Sequence, residues 1–274
     1  MLMKNKTLYV TDIDGTLLRS DCTLSEFTSK TIDELITCGM KFACASGRSY
    51  YAADMLLSDI RASFPLIVHN GTFIFEKGSK REIFSNGFSP DEAKRIVDTF
   101  VGYGVYPLVF ADVDGKDLGS YLPEYESEGM RIYHESHPDD PRNAPVDDVA
   151  MLLRGNVYHI ACFDEKKKLE TVYNALKDEF GCILYKDLYS DWPLLEVHPK
   201  ESSKANAIKR LCKILGCDRV VSFGDGKNDI SMFEMSDECY AVANAENDVK
   251  AIATNIIESN DCDGVAKWLL ENYK

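Results

Sequence analysis

The sequence predicts an α/β fold: a parallel sheet with helices on both faces, and an α+β domain inserted into the middle of the chain. Two observations predict it. Strand-like and helix-like segments alternate over residues 1–82 and again from Ser203 onward, which is typical of a parallel sheet covered by helices. Between these regions lies a hairpin signal, and hairpins belong to antiparallel sheets.

The N-terminal elements are predicted from apolar spacing and from residues typical of helix ends. Thr7–Thr11 is predicted to be a buried strand. A helix follows, with Ser25 as its N-cap, apolar residues at helical spacing and Gly39 at its C-terminal end. The next three elements are predicted to be a strand, a helix and a strand, at Lys41–Ala45, Ser49–Ile60 and Pro65–Gly71. This repetition implies right-handed crossovers in a Rossmann-like sheet, with a binding crevice at the carboxyl ends of the strands.

The middle of the chain has a different pattern. It is predicted to contain a helix at Pro90–Val101 and a hairpin that turns at Asp114 and Gly115, followed by a polar, proline-rich span. The remaining predicted elements are a strand, a helix and two strands, at Val157–Phe163, Glu165–Phe180, Cys182–Asp187 and Leu194–His198. We therefore place an α+β domain at residues 83–195, inserted into a discontinuous core made of residues 1–82 and 196–274.

The α/β pattern returns after Ser203. The predicted elements alternate between helix and strand, and they are a helix at Lys204–Leu215, a strand at Arg219–Asp225, a helix from Asp229, a strand at Cys239–Ala243 and helices at Asn247–Thr254 and Gly264–Asn272. The two ends of the chain are thus predicted to form one core.

Composition and charge disfavour several classes of partner. The chain has 274 residues and a formal net charge of −14, which disfavours binding to nucleic acid or to an anionic membrane, because both require a cationic face. Its nine cysteines form no CxxC pair and no other metal-ligand spacing, which favours a reducing compartment. The apolar run after Lys6 is interrupted at Asp12, too early for a signal peptide, and no apolar run approaches the roughly 20 residues that a membrane span needs. We therefore predict a cytoplasmic protein.

The first candidate site is the sequence DIDGT, where the first predicted strand ends. In an extended stretch, residues two apart point the same way, so Asp12 and Asp14 face one crevice, where two adjacent anions require a cation. A generic polar turn and a calcium loop are the alternatives. The EF-hand calcium loop has glycine at its sixth position, whereas Gly15 is the fourth residue here. A second Asp-x-Asp-Gly, at Asp112–Gly115, lies within the predicted hairpin and is interpreted as a structural turn.

Two further segments carry candidate anion-binding residues. Ser46, Gly47 and Arg48 lie between a strand and a helix, where a hydroxyl and free N–H groups suit an anion, although serine is also a common helix N-cap. Lys204 begins a helix, a position that the helix dipole disfavours for a cation unless an anion lies nearby. A solvated surface lysine is the alternative.

The strongest signal is the sequence GDGKND after a strand of the C-terminal region. Glycines on both sides of Asp225 allow the backbone to approach a ligand closely, and Asp229 adds a second carboxylate. A helix follows, which excludes a hairpin turn. Carboxylates from the two ends of the chain could then bind Mg2+, which prefers oxygen ligands, while Ser46, Lys204 and Asn228 hold a phosphoryl group beside it.

These segments, in this order, resemble motifs I to IV of the haloacid dehalogenase-like hydrolase superfamily: DIDGT, ASGR, Lys204 and GDGKND. The inserted domain resembles the α/β cap of the Cof-type branch, class IIB, in its length and in its pattern of helices and strands. This cap is called the C2B cap. Further resemblance lies in the sequences IVHNG, AVANAENDVKAIA and SNDCDGVAKWL. The resemblance implies a Rossmann-like catalytic core and a Mg2+-dependent phosphatase.

The resemblance also implies a role for each residue. Asp12 resembles the nucleophile that forms an aspartyl-phosphate, and Asp14 the general acid and base, whose backbone carbonyl also binds Mg2+. Asp225 resembles the residue that completes the metal ligands with Asp12 and Asp14, and Asp229 resembles one that orients a metal-bound water. The remaining implied roles are phosphate binding, by Ser46, the N–H of Gly47, Lys204 and Asn228, and a contact with the cap or the substrate, by Arg48.

The leading hypothesis is a Mg2+-dependent phosphatase acting on a small phosphorylated metabolite, for which the resemblance implies a sugar phosphate. One alternative is a phosphotransferase similar to phosphomannomutase, in which the aspartyl-phosphate passes to a second sugar hydroxyl. Another is a sensor that binds a phosphorylated metabolite with little turnover, although the complete set of acid, base and metal residues argues against it. A calcium-binding structural protein is the last, but no complete EF-hand loop is present. Substrate specificity is predicted to lie in residues 83–195.

Overall fold

The computed structural model describes residues 6–186 and 191–273. The chain divides into two compact units, a first unit made of Met1–Ser85 and Ser202–Lys274 and a second unit made of Asn86–Glu201. Both predicted boundaries fall inside a strand, because residue 82 begins a strand of the first unit and Leu195 lies within a strand of the second. Each of these strands belongs to the unit whose sheet it pairs with. The observed boundaries therefore follow the ends of the strands, after Ser85 and after Glu201.

The strands among the described residues are, in chain order, β1 (Thr7–Thr11), β2 (Lys41–Ala45), β3 (Pro65–Val68), β4 (Phe73–Glu76), β5 (Glu82–Ser85), β6 (Leu108–Val113), β7 (Lys116–Tyr121), β8 (Asn143–Pro145), β9 (Asn156–Phe163), β10 (Gly181–Lys186), β11 (Pro193–His198), β12 (Arg219–Gly224), β13 (Glu238–Val242) and β14 (Asn255–Ile257). The helices are α1 (Glu26–Thr37), α2 (Tyr50–Leu56), α3 (Pro90–Gly102), α4 (Glu128–Ser136), α5 (Lys166–Leu176), α6 (Lys204–Leu215), α7 (Ile230–Met235), α8 (Asn247–Ile252) and α9 (Gly264–Asn272). Each predicted helix and strand has a counterpart of its type here, and residue 187, the predicted end of one strand, lies outside the described residues.

The first unit contains an eight-stranded sheet with the order β14-β13-β12-β1-β2-β3-β4-β5. Neighbouring strands from β14 to β3 are parallel, whereas β4 and β5 form an antiparallel extension. The predicted parallel α/β core is thus confirmed. Strands β4, β5 and β14 were not predicted, because strands of three or four residues carry too little alternation to be recognised.

The strand order brings three candidate segments to one end of this sheet. Strands β12, β1 and β2 are neighbours and parallel, so their carboxyl ends lie side by side. Asp12 follows β1, Ser46 follows β2 and Asp225 follows β12. These residues are distant in sequence, but they share the end of the sheet at which ligands bind in folds of this kind.

The centre of this sheet is tightly packed. Leu8 and Val10 of β1 and Phe223 of β12 are fully buried, and burial of such side chains contributes roughly 1.5–3 kcal/mol each. The ring of Phe223 lies 5.8 Å from that of Tyr240 and 5.1 Å from that of Trp268, measured between centroids. Helix α9 therefore packs on the strand that leads to Asp225, which gives the candidate site a rigid base.

The third predicted strand is shorter than expected. The prediction spans Pro65–Gly71, whereas β3 ends at Val68 and the next three residues, His69–Gly71, form a tight turn. All three turn residues have positive φ angles, which no strand permits. The prediction was wrong over these three residues, because the apolar run before them masks the turn signal of Asn-Gly.

The second unit contains a six-stranded sheet with the order β10-β11-β9-β6-β7-β8, antiparallel except for the pair of β7 and β8. Helix α3 packs against β9, and α5 packs against β10 and β11. The predicted α+β insertion is confirmed. Helix α4 was not predicted, because it is only nine residues long and most of them are polar.

The predicted hairpin lies in this second unit. Strands β6 and β7 pair in antiparallel register up to Val113 and Lys116, and the two residues between them, Asp114 and Gly115, have φ angles of 51° and 82°. Two consecutive positive φ angles are typical of a tight hairpin turn. The carboxylate of Asp112 accepts a hydrogen bond of 2.8 Å from the N–H of Gly115, so the second Asp-x-Asp-Gly is a structural turn, as predicted.

No helix within residues 6–186 and 191–273 combines the length and the apolar character that a transmembrane segment requires.

We expect Phe100→Ala to lower the free energy of unfolding by about 3–5 kcal/mol, because Phe100 is fully buried in the core of the second unit and its removal leaves a cavity. Urea unfolding followed by circular dichroism measures this. The exposed Tyr103, near the end of the same helix, provides the control, since Tyr103→Ala should cost less than about 1 kcal/mol. Equal losses for the two variants would contradict the described packing.

Candidate functional site

The candidate site is centred on a buried lysine of the first unit. Nζ of Lys204 lies 2.5 Å from Oδ1 of Asp12 and 2.7 Å from Oδ1 of Asp229. All three side chains are at most 7% exposed. A lysine is rarely buried without a partner, so these two carboxylates explain why it tolerates this position.

Local sequence explains how Lys204 reaches this position. It is the first residue of helix α6, and the side chain of Ser203 caps the helix by accepting a hydrogen bond from the N–H of Asn206. The rest of the helix face is apolar, with Ile208 and Leu211 fully buried. Packing of this face sets the direction of the helix, and its first side chain points at the end of β1.

Asp225 lies close to Asp12 and Asp229. Its Oδ1 accepts a hydrogen bond of 2.7 Å from the hydroxyl of Thr16, which belongs to the turn after β1. That turn requires Gly15, which has a φ angle of +71° and whose Cβ, if present, would lie 2.5 Å from Oδ2 of Asp225. The turn after β1 therefore packs directly on the carboxylate that follows β12.

Asp229 is fixed by the backbone as well as by Lys204. Its Oδ2 accepts hydrogen bonds from the N–H groups of Asp225 and Gly226, at 3.0 and 3.1 Å. Gly224 leaves room for it, since a Cβ there would lie 2.7 Å from Cγ of Asp229. The glycines around Asp225 thus let the loop close over the Asp229 side chain.

Asp12, Asp225 and Asp229 form a group of three carboxylates, with one oxygen of each lying within 4.8 Å of the others. Burial, together with repulsion from Asp229 and Asp225, raises the pKa of Asp12 to about 7, although the charge of Lys204 opposes this. Burial also raises the pKa of Asp225. Burial lowers the pKa of Lys204, but attraction to Asp12 and Asp229 outweighs it, and the pKa is raised overall.

This group fits a divalent cation. One ammonium group faces three carboxylates, so the cluster carries excess negative charge whenever these carboxylates are ionised. All the available donors are oxygen atoms, which Mg2+ and Ca2+ prefer. The donor chemistry and the raised pKa of Asp12 both indicate that a further positive charge would stabilise the cluster.

The Asp14 side chain lies outside this group. Its two carboxylate oxygens accept hydrogen bonds from Nε and Nη2 of Arg48, both at 2.7 Å. The two side chains are 42% and 35% exposed, respectively, in contrast to the buried Lys204. Arg48, predicted to contact the cap or the substrate, is thus paired with Asp14, and the proposed contribution of the Asp14 backbone carbonyl to a metal site stays a prediction.

The remaining predicted phosphate-binding residues lie at neighbouring positions. Ser46 is 1% exposed, and its hydroxyl oxygen accepts a hydrogen bond of 3.1 Å from the N–H of Arg48. Gly47 follows it and lies against the side chain of Asn70. Asn228 lies in the exposed turn between Asp225 and α7. The structure thus brings Lys204 into contact with Asp12 and Asp229. Ser46 and Gly47 follow β2, the strand next to β1.

Two asparagines were not predicted to belong to the site. Nδ2 of Asn244 donates a hydrogen bond of 2.7 Å to the carbonyl of Gly15, and its Oδ1 accepts one of 3.1 Å from the N–H of Asn260. Nδ2 of Asn260 donates to the carbonyl of Leu18 at 3.0 Å. They hold the middle and the C-terminal end of the turn after β1. The available signal was that Asn244 and Asn260 lie in AVANAENDVKAIA and SNDCDGVAKWL, two of the sequences that carry the resemblance to the family.

Comparison with known proteins identifies a family for this chain. A sequence model described as haloacid dehalogenase-like hydrolase matches residues 9–269. A 5-amino-6-(5-phospho-D-ribitylamino)uracil phosphatase, YitU of Bacillus subtilis, is 25% identical over 275 residues, which cover 97% of each chain.

Two solved structures of other proteins share the fold of this chain. A crystal structure of a Thermotoga maritima protein superposes with a TM-score of 0.78 at 23% identity, covering 97% of each chain. A sugar phosphatase described as a member of subclass IIB of the same superfamily superposes with a TM-score of 0.67 at 22% identity, covering 97% of this chain and 98% of that one. Both likenesses extend over the inserted region as well as the parallel core.

We expect Lys204→Met to lower the free energy of unfolding by about 3–5 kcal/mol, because the change leaves Asp12 and Asp229 buried without their shared cation. Urea unfolding at pH 7 without divalent cations measures this. Lys209→Met, an exposed position on the same helix, is the matched control and should shift the free energy by less than about 0.5 kcal/mol. A Lys204→Met protein as stable as the control would contradict the described contacts.

Proposed function

The chain belongs to the haloacid dehalogenase-like hydrolase family, and we propose that it is a Mg2+-dependent phosphatase that hydrolyses a small phosphorylated metabolite through an aspartyl-phosphate on Asp12. The family predicted from the sequence motifs is confirmed. The single observation that best supports the proposed function is the contact of Lys204 with both Asp12 and Asp229 inside a group of three carboxylates.

Asp12 is the nucleophile in this proposal. In the first step one of its carboxylate oxygens bonds to phosphorus, while the bond between phosphorus and the leaving oxygen breaks. Two features support this role. Asp12 follows the central strand β1, and Lys204 fixes one of its oxygens, so the attacking group is held in a single orientation. In this proposal the ammonium of Lys204 would also stabilise the negative charge on the phosphoryl oxygens in the transition state.

Asp14 is the general acid and then the general base. It donates a proton to the leaving oxygen in the first step, and in the second it accepts a proton from the water that attacks phosphorus and releases inorganic phosphate from Asp12. The partial exposure of its carboxylate supports this role, because a proton donor must reach substrate and water. Arg48 orients the carboxylate through its two hydrogen bonds.

Mg2+ would be held by the carboxylates of Asp12 and Asp225 and by the backbone carbonyl of Asp14, with Asp229 supporting them from the buried side. When bound, the ion supplies positive charge that offsets the repulsion between a carboxylate and a phosphate. The hydrogen bond from Thr16 to Asp225 and those from the backbone to Asp229 keep these two carboxylates in fixed orientations.

The phosphoryl group would be bound by Ser46, the N–H of Gly47, Lys204 and Asn228. The hydroxyl oxygen of Ser46 already accepts a hydrogen bond from the N–H of Arg48, so its own proton is available for a phosphoryl oxygen. Lys204 supplies charge, whereas Ser46 and Gly47 supply neutral donors at the end of the next strand. Together they would orient the phosphorus toward Asp12.

We infer that the substrate is a phosphate ester of a sugar or a sugar-derived chain. The Bacillus subtilis relative is named for a substrate with a phosphorylated ribityl chain, and a structural neighbour is named as a sugar phosphatase. The two named substrate classes share a polyhydroxylated carbon chain that ends in phosphate. The residues that would select among such compounds are predicted to lie within 83–195.

We expect release of inorganic phosphate from one or more members of a panel of sugar phosphates, sugar-alcohol phosphates and nucleotides, and we expect EDTA to abolish it. Asp12→Asn should lower kcat by at least roughly 10,000-fold, because the nucleophile is lost. A malachite green assay with purified protein measures both effects.

Asp114→Asn is the matched control, since it changes the second Asp-x-Asp-Gly, which forms a hairpin turn. It should retain the activity of the wild-type protein. Full activity of Asp12→Asn would contradict the proposed nucleophile. Transfer of the phosphoryl group to a second sugar, with no release of phosphate, would instead favour a phosphotransferase.

A further inference from the structure

The turn at His69–Gly71 is conformationally unusual. Its three residues have φ angles of +48°, +52° and +103°, and two of them are not glycine. A left-handed conformation costs a residue with a Cβ roughly 1–2 kcal/mol, although asparagine tolerates it better than most. Strain of this kind persists only where surrounding contacts hold it, and it is concentrated at functional sites.

One side of the turn is bonded to the loop that follows β2. The N–H of His69 donates to the carbonyl of Arg48, and the N–H of Asn70 donates to the carbonyl of Ser46, both at 3.0 Å. The side chain of Asn70 lies so close to Gly47 that a Cβ there would be 3.3 Å from its amide. The two backbone hydrogen bonds therefore fix the backbone of the loop that carries the proposed phosphate-binding donors.

The other side of the turn packs on the start of helix α6. A Cβ on Gly71 would lie 2.2 Å from the carbonyl oxygen of Ser203 and 3.0 Å from the backbone nitrogen of Lys204. Both are backbone atoms, so a rotamer change could not relieve the clash. The hydroxyl of Thr72 links the same regions, because it donates to the carbonyl of His69 at 3.0 Å and lies 3.4 Å from the hydroxyl of Ser202.

We propose that the His69–Gly71 turn is a positioning element that sets the distance between Ser46 and Lys204, and so determines how the phosphoryl group of the substrate is held against Asp12. This inference rests on the proposed function. Ser46 and Lys204 belong to segments far apart in the sequence, and the turn touches the backbone of both. It acts through these residues and does not itself contact the reacting atoms.

Gly71→Ala tests this directly. The added methyl group must push the turn and the start of α6 apart, and misplacement of catalytic groups by about 1 Å costs roughly 100-fold in rate. We expect kcat to fall by roughly that factor and the inhibition constant of inorganic phosphate to rise. Urea unfolding, measured in parallel, reports the cost in stability.

Gly78→Ala is the matched control. Gly78 also has a positive φ angle, +81°, but no atom lies within 4 Å of where its Cβ would be. Both variants therefore carry backbone strain, and only Gly71→Ala displaces the site. The proposal predicts a loss of stability in both variants, larger in Gly71→Ala because of its clash with backbone atoms, and a loss of turnover in Gly71→Ala alone. Wild-type kcat and phosphate inhibition in a folded Gly71→Ala protein would overturn it.

Asn70→Gly and Asn70→Val provide a second test, which also applies if Gly71→Ala does not fold. Glycine adopts positive φ readily, whereas a β-branched residue does not, so Asn70→Gly should retain turnover and Asn70→Val should lose it. Equal losses in the two variants would overturn the proposal, because they would assign the effect to the amide side chain.

The two proposals fail in different ways. Absence of phosphate release by the wild-type protein on every ester would count against the proposed function. Binding of inorganic phosphate, measured by calorimetry for wild type, Gly71→Ala and Gly78→Ala, would still test the turn. Weaker binding in Gly71→Ala alone would support it, and equal binding by all three proteins would overturn it.

Discussion

The side chain of Lys204 lies 2.5 Å from Asp12 and 2.7 Å from Asp229, in a buried cluster that also includes Asp225. One ammonium group cannot neutralise three carboxylates, and burial prevents water from doing so. The cluster therefore carries negative charge that a bound cation would offset. Burial, together with repulsion from Asp229 and Asp225, raises the pKa of Asp12. Several features hold these four side chains together: the close packing at Gly15 and Gly224, the capped helix α6, and the buried strands β1 and β12.

Much of this arrangement could be predicted from the sequence. Parallel strands place their carboxyl ends together, so polar residues after apolar strands mark one end of the sheet. That rule brings Asp12, Ser46 and Asp225 to neighbouring strand ends, as the structure has them. The position of Lys204 at a helix start indicated a nearby anion, since a cation there is otherwise unfavourable, but a solvated surface lysine was the alternative and its burial was not predicted. The chemical roles of these residues stay predictions.

The remaining features depend on contacts between segments far apart in the sequence. Arg48 forms its ion pair with Asp14, and Asn244 bonds the carbonyl of Gly15, yet neither partner can be identified from local spacing. The turn at His69–Gly71 was predicted as the end of a strand, because its conformation is stabilised by backbone groups of other loops. Tertiary packing overrides local preference at such positions.

Calorimetric titration with Mg2+ tests the central claim most directly, because it measures the proposed cation site without reference to a substrate. Wild type and Asp114→Asn are predicted to bind the ion with the same affinity, whereas Asp225→Asn should bind it much more weakly, since it removes one charge from the cluster. Binding by Asp225→Asn that matches the wild-type protein, or no binding by wild type, would contradict the account.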